Sequence, residues 1–490
     1  MDFTTTNSLY LCIDQGGHAS RAIVFNKTGE IITSAYAEIK TQRPKEYFVE
    51  HQAEDVISSI NKSIQQVLDE LGDKKNLIVS AGLATQRSNV ICWHKETGKA
   101  LSPIISWQDR RNHQWLQKLK NNNEEIHKTT GLFVSPHYGA SKLRWCIDNI
   151  AEVKQALDEN SLIFGPMSSF ITSRLVNKKE SVVDPVNASR TQLWNIKTND
   201  WDESLLKLFS IPLSSLPECV PSIYDYGCIN INQKEIPLQL VTGDQSAAMY
   251  AYGSLQAETA YINTGTGAFL SRPSGQQALY SRRLLTSIIF QKSDTSHEKT
   301  YVLEGTVNGA GSALDWLAEQ YPDTNIYENL PTWLDNISSQ SYFLNGISGL
   351  ASPFWIPDFS SQFVKNNTEN KDCNIAERAV AIVESIVFLL KASLDEMDKL
   401  SSPPQQIQIS GGLASLNGLN QRIADLSRLP VYCPTECEAT SRGTAFLLAD
   451  QPTHWPEQEA GVWFTAKNNS ELQQRYIAWT KAMLNVIRKN

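Results

Sequence analysis

"LYLCIDQGGHASRAIVF", residues 9–25, sets two apolar runs on either side of an acid and a pair of glycines. Residues 9–14 read as a buried strand. RAIVF, residues 21–25, is apolar and β-branched and reads as a second strand. The turn between them decides the fold, because glycine loops after an apolar strand hold phosphate in several architectures. A Walker loop needs GxxxxGK followed by Ser or Thr, and the chain has none. A dinucleotide fold needs its glycines to open a helix, and here they open a strand. Two readings of a β-hairpin remain. One is a plain tight turn. The other is a tip whose converging backbone N–H groups clamp anionic oxygens.

The flanking sequence narrows the choice. Residues 31–39 alternate like a third strand. Residues 52–71 carry Val56, Ile60, Ile64, Val67, Leu68 and Leu71 as a helical stripe closed by Gly72, and 76–85 return to strand. Near the middle, TAYINTGTGAFLSRP (259–273) repeats the opening theme of strand, glycine turn and strand. A pair of such hairpins, one per half, can grip a nucleotide's phosphates from both sides, with Asp14 aimed at hydrated magnesium. That pairing favours the clamp over the plain turn. Further on, a helix over 376–400 stops at SSPP, and QIQISGG runs a strand into a third glycine turn. A helix over 415–428, a short strand at VYC and a helix over 438–449 follow. Residues 359–374 are polar and irregular and read as an exposed loop. The expected class is α/β: two halves, each a mixed sheet with helices around it, facing a central cleft. The boundary falls near 236–250, after the polar NINQKEIP segment.

The 490 residues are 41% hydrophobic and 20% charged, enough for two large globular domains. The net charge of −8 argues against a nucleic-acid or anionic-membrane surface. No apolar run is long enough to span a bilayer. MDFTTTNS lacks a basic region followed by an apolar stretch, so no secretory leader is expected. Eight cysteines are scattered without a CxxC pair and read as free thiols of a reducing compartment, with the cytoplasm expected. Cys433 and Cys437 have no second pair or nearby histidine to make a metal site.

Read in order, LCIDQGG, FVEH (48–51), TQRSN (85–89), ISWQDRR (105–111), DPVNASRTQLWN (184–195), VTGDQSAA (241–248), NTGTGAF, LEGTV (303–307) and SGGLAS (410–415) form a specific series. On these motifs the chain resembles the FGGY carbohydrate kinases, most closely their glycerol kinases, from about residue 9 to 450. The resemblance implies two actin-like (ribonuclease H-like) ATPase domains, an N-terminal one over 1–240 and a C-terminal one over 241–455, with 456–490 as an extension. It also implies transfer of the γ-phosphate of ATP, with Mg2+, to a sugar or polyol hydroxyl. An actin-like or heat-shock ATPase shares the hairpins but leaves TQRSN and WQDRR unexplained.

Roles follow by resemblance. Asp244 of the GDQ motif is the base at the attacking hydroxyl and, with Asp14, a carboxylate facing the metal. Arg87, Ser88, Trp107, His137, Tyr138, Asp244, Gln245 and Asn308 line the acceptor pocket. Gly16, Gly17, His18, Ser20 and Arg21 in the first loop, with Gly265, Thr266, Gly267, Gly311, Gly411 and Gly412, hold ATP. The chain also departs from the family pattern. The family's D-x-G-T-[ST]-[ST] loop reads here Asp14-Gln15-Gly16-Gly17-His18-Ala19, losing hydroxyls, and GLASPFWIPD (349–358) carries Ile356. Ser88, His137 and Asn308 differ from the glycerol kinases toward more room or polarity. A terminal hydroxyl of a polyol or ketose larger than glycerol is therefore the expected acceptor. A catalytically weakened relative that binds nucleotide and sugar as a sensor is the alternative. A homodimer is compatible with the sequence.

Overall fold

The computed structural model describes residues 8–293, 299–365, 373–435, 438–453, 455 and 461–489. The first unit begins with β1 (Leu9–Gln15), β2 (Ala19–Asn26) and β3 (Ile31–Glu38), then α1 (Ala53–Leu71) and β4 (Ile78–Thr85). Every residue of β1 is buried, because it lies between β2 and β4 at the centre of the sheet. β3 alternates exposed and buried positions, as an edge strand with one wet face does. α1 buries the Val56, Ile60, Ile64, Val67, Leu68 and Leu71 stripe and ends where Gly72 takes φ +55°, open to glycine without strain. After α2 (Gly139–Asn149), the hairpin β5 (Cys228–Ile231) and β6 (Lys234–Gly243) completes the sheet in the order β5-β6-β4-β1-β2-β3. The polar NINQKEIP stretch is the tip and flanks of that hairpin.

α3 (Asp244–Met249) leads into the second unit. Its strands are β7 (Thr259–Thr264), β8 (Ala268–Gly275), β9 (Leu285–Gln291) and β10 (Lys299–Val307). α4 (Gly311–Gln320) and α5 (Ile375–Met397) follow, then β11 (Gln406–Ser410), α6 (Asn417–Ser427), β12 (Val431–Pro434), α7 (Ala439–Leu448), β13 (Gly461–Phe464) and α8 (Ser470–Ile487). The sheet order is β9-β10-β8-β7-β11-β12-β13. α5 starts on a capping box in which Asn374 and Glu377 each satisfy the other's backbone N–H, and it runs through the core of this unit.

Two expectations gain detail. Residues 461–489 of the expected extension pack onto the second unit: β13 closes the second sheet, and Leu472, Trp479 and Met483 of α8 enter the second core. Part of 359–374 is strand, since Gln362–Lys365 pairs with Ser341–Leu344; residues 366–372 lie outside the described residues. Cys437 also lies outside them, so the Cys433–Cys437 pair is not addressed. Among the described residues no helix is long and apolar enough to cross a membrane.

The halves are tied together by α7. It belongs to the second half in sequence, yet Ala445, Phe446 and Leu447 pack with Cys12, Ile23, Phe25 and Leu240 of the first sheet. Arg442 on the same helix donates to the carbonyls of Ala251 (2.9 Å) and Gly29 (2.5 Å).

Candidate active site

The first hairpin pairs Asp14 with Arg21 and Gln15 with Ser20. Its turn closes through Gly16 N–H to Ala19 O at 3.0 Å. Neighbouring segments hold its outer carbonyls: Ile39 N–H donates to His18 O (2.9 Å) and Thr41 Oγ1 to Gly17 O (3.2 Å). The His18 side chain is exposed. Ser20 is a correction. Its hydroxyl lies 2.6 Å from both Gln15 Oε1 and Ser59 Oγ, fully buried against α1, because strand alternation turns it away from the tip. Arg21 Nη1 lies 3.4 Å from Asp14 Oδ2, and its Nε is 4.0 Å from Glu438.

The second hairpin is braced differently. Gly265 N–H donates to Gly267 O at 2.7 Å, and the turn carbonyls face the start of α4. Gly265 O accepts from Gly311 N–H (2.9 Å), and Thr266 O accepts from Ala310 and Ser312 (3.0 and 3.1 Å). Gly311 N–H is already spent on that loop, and a Cβ there would sit 2.8 Å from Gly265 O, so its lack of a side chain lets the helix start press on the loop. Gly411, at φ +93°, does the same for the backbone of Thr264. By contrast, a Cβ on Gly265 or Gly412 would meet nothing within 4 Å, so these two border open space.

Strand register brings the acids together. β1 and β6 both run parallel to β4, with Asp14 beside Ala84 on one side and Gly243 beside Thr85 on the other. Asp14 and Asp244 thus stand at adjoining strand ends, roughly two strand spacings of ~4.8 Å apart. Burial first, then the Asp244 charge, pushes the Asp14 carboxyl up to about 7, against the pull of Arg21. Burial also raises Asp244, opposed by the Arg87 guanidinium and by backbone N–H groups of Gln245 and Arg87. The Gln245 bond to Oδ1 is 2.7 Å.

Arg87 leaves the end of β4 and donates to Gln245 Oε1, while its Nη2 lies 3.4 Å from Glu304 Oε1. Glu304 comes from β10 of the second unit and also accepts from Arg190 and Ser287. Burial opposes its charge, but the Arg190 and Arg87 guanidinia outweigh that and hold the carboxyl down at about 2. This ion cluster joins the two units beneath Asp244. Sequence reading missed Glu304 and Arg190, although an acid inside the apolar strand VLEGTV was the available signal.

Ser88 is buried with φ +67°, and its hydroxyl has no partner among the described residues. Burial, then the charges of Lys142, Arg190 and Arg87, push His137 well below its ordinary value, so the ring is neutral. It lies 5.4 Å from the Trp107 ring and 4.9 Å from Tyr138. Burial raises the Tyr138 hydroxyl, and the nearby Arg190 guanidinium opposes it. Trp107 is fixed through its backbone N–H to Asn89 Oδ1 at 2.7 Å. Asn308 departs from expectation. Its Nδ2 donates to Ser348 O and Gly349 O, both at 3.1 Å, and the residue is exposed. Its Nδ2 ties the loop at Ser348 and Gly349.

A fold of two mixed sheets around paired acids and glycine hairpins is that of the sugar-kinase class of actin-like ATPases. The sequence model of the N-terminal domain of the FGGY family of carbohydrate kinases matches residues 9–249, and that of the C-terminal domain matches 260–450. The chain belongs to the FGGY family of carbohydrate kinases, phosphotransferases with an alcohol group as acceptor. It is 32% identical to a glycerol kinase of Shewanella frigidimarina over 94% of this chain and 91% of that one. It is 31% identical to a glycerol kinase of Trichodesmium erythraeum over 98% of both. In fold it superposes on a glycerol kinase of Plasmodium falciparum solved with ADP (TM-score 0.86, 24% identity, 98% of each chain). It also superposes on a xylulose kinase of Rhodospirillum rubrum (TM-score 0.85, 16% identity, 98% and 99% covered).

Proposed function

We propose that this chain transfers the γ-phosphate of ATP, with Mg2+, to a terminal hydroxyl of a polyol or ketose larger than glycerol. The observation that carries the reading is the pair of buried carboxylates, Asp14 and Asp244, at adjoining strand ends beside the first glycine hairpin. Two like charges held in low dielectric, one of them raised to about 7, are a donor set that a divalent cation relieves. Among the described residues no group of three or more His, Cys, Asp or Glu forms a closed metal cage. Magnesium is commonly held by one or two carboxylates and the nucleotide's own phosphates. Bound there, the metal nucleotide supplies the phosphoryl group and the positive charge the acids lack.

The chain's residues supply orientation and a proton acceptor. Backbone N–H groups of Gln245 and Arg87 fix the Asp244 carboxylate, and burial raises its basicity. In a loose transition state the hydroxyl proton moves late, so a positioned carboxylate suffices. Arg87, held between Gln245 and Glu304, is placed to donate to acceptor oxygens. The Ser88 hydroxyl supports a larger acceptor. Left unpaired in a buried site it costs about 1–3 kcal/mol, and an additional substrate hydroxyl is its natural partner.

Magnesium-dependent ADP release with glycerol, erythritol, ribitol, ribulose and xylulose tests this. Glycerol is expected to have a low kcat/KM; if it has the highest, the substrate-size reading is wrong. A second reading, a nucleotide- and sugar-binding sensor, is favoured by the first hairpin, whose Ser20 hydroxyl faces α1 instead of the cleft. Binding without ADP release across the panel would select it.

A further inference from the structure

Lys142 is one of the largest fully buried side chains of the protein, in the first turns of α2. Buried lysines ordinarily find a carboxylate. This one has none within ion-pair distance among the described residues. Asp109, the acid whose charge favours its own, is already bound by Arg111 at 2.9 and 2.8 Å. Lys142 Nζ instead donates to two backbone carbonyls, Ser88 O at 3.1 Å and His137 O at 2.7 Å. Those residues lie 54 and 5 positions away, and both are among the residues expected to line the acceptor pocket. Ser88 sits in the left-handed region, which a non-glycine residue adopts only when its surroundings hold it there.

We propose that Lys142 is a positioning residue for the acceptor: its ammonium fastens the Ser88 and His137 segments to each other and so sets the width of the pocket. The proposal rests on the reading of that pocket as the acceptor site. Lys142 touches neither the acids nor the glycine hairpins, so its effect falls on acceptor binding and leaves the nucleotide alone. Burial, helped by Arg111 and opposed by Asp109, pushes the Lys142 ammonium down to about 7, the cost of a cation kept for geometry without a counter-ion.

The wild-type panel of glycerol, erythritol, ribitol, ribulose and xylulose first tests the acceptor reading by itself. With the best acceptor, Lys142→Met is expected to raise acceptor KM at least tenfold, with ATP KM and kcat within about threefold. Amide hydrogen exchange is expected to quicken in residues 86–89 and 135–139 and to stay unchanged in both hairpins. A folded Lys142→Met protein with unaltered acceptor KM, or one in which ATP and acceptor KM rise together with exchange quickening throughout, overturns the proposal. If the wild type turns over no acceptor, the acceptor reading fails, and exchange decides the positioning role: quickening confined to the two segments supports it, and no change removes it. If Lys142→Met does not fold, Lys142→Arg carries the test. Its longer donor should spread the two segments and raise acceptor KM alone at least threefold; equal values overturn the proposal.

Discussion

The two glycine hairpins share a sequence theme but are built to opposite ends. The first has its outer carbonyls tied to the segment after β3 and keeps a buried acid, Asp14, at its root. The second has no acid, and its turn carbonyls receive three N–H groups from the start of α4. One hairpin carries a buried charge at its root, and the other is a clasp braced by close backbone approach. The same motif can therefore fail in two ways: through charge in the first, through volume in the second.

The largest expected effect lies beside the charged hairpin. Asp244→Asn should lower kcat by about 10²–10⁴-fold, the usual contribution of a positioned base, with ADP affinity by calorimetry nearly intact. Near-normal turnover would remove Asp244 from that role. Next comes volume. Gly311→Ala places a methyl 2.8 Å from Gly265 O. Overpacking of that kind costs about 1–3 kcal/mol, so ADP affinity should fall about 5–100-fold. At Gly16 the nearest atom to a Cβ is 3.2 Å away, so Gly16→Ala should lose less. Equal losses in the two hairpins would break the contrast.

A smaller effect separates charge from shape through pH. The native Asp14 carboxyl titrates near 7, above its ordinary value of 3.8, so the folded protein binds more protons than the unfolded chain between those values. Stability of the nucleotide-free protein should then fall as pH rises through that window and level off above it. Asp14→Asn should remove this slope and raise Tm at pH 8 by a few degrees, while abolishing magnesium-dependent ADP release. An unchanged slope in thermal unfolding would mean that Asp14 is not the raised group. The smallest effect tests Ser20. Ser20→Ala should leave ATP KM within about twofold and cost about 0.5–1.5 kcal/mol of stability, one hydrogen bond's worth, by denaturant unfolding.

Much of the fold was legible because its signals are periodic. The α1 stripe, the repeated strand–turn–strand theme and the Gly72 stop each report a local geometry. The acids were legible because a carboxylate ending an apolar strand has few other uses. The surroundings of Ser20, Gly311 and Asn308 were not legible for one reason: a motif gives position along the chain, whereas the direction of a hydroxyl, an N–H or an amide depends on the fold. Glu304 and Arg190 went unseen because their partners are far away in sequence, and Lys142 because one of its two carbonyls, Ser88 O, is. Glu304 meets Arg87 across 217 positions, and only the meeting of the two units makes the contact.

The return of α7 to the first sheet has a consequence for how the protein is made. A nascent chain that has completed β6 still shows the apolar face of Cys12, Ile23, Phe25 and Leu240, because Ala445, Phe446 and Leu447, which cover it, have not been translated. At roughly 5–20 residues per second the ribosome leaves that face bare for on the order of ten seconds or more. The first half is thus an unfinished object until the second is nearly complete, and a gene split between the two would yield a sticky fragment rather than half an enzyme.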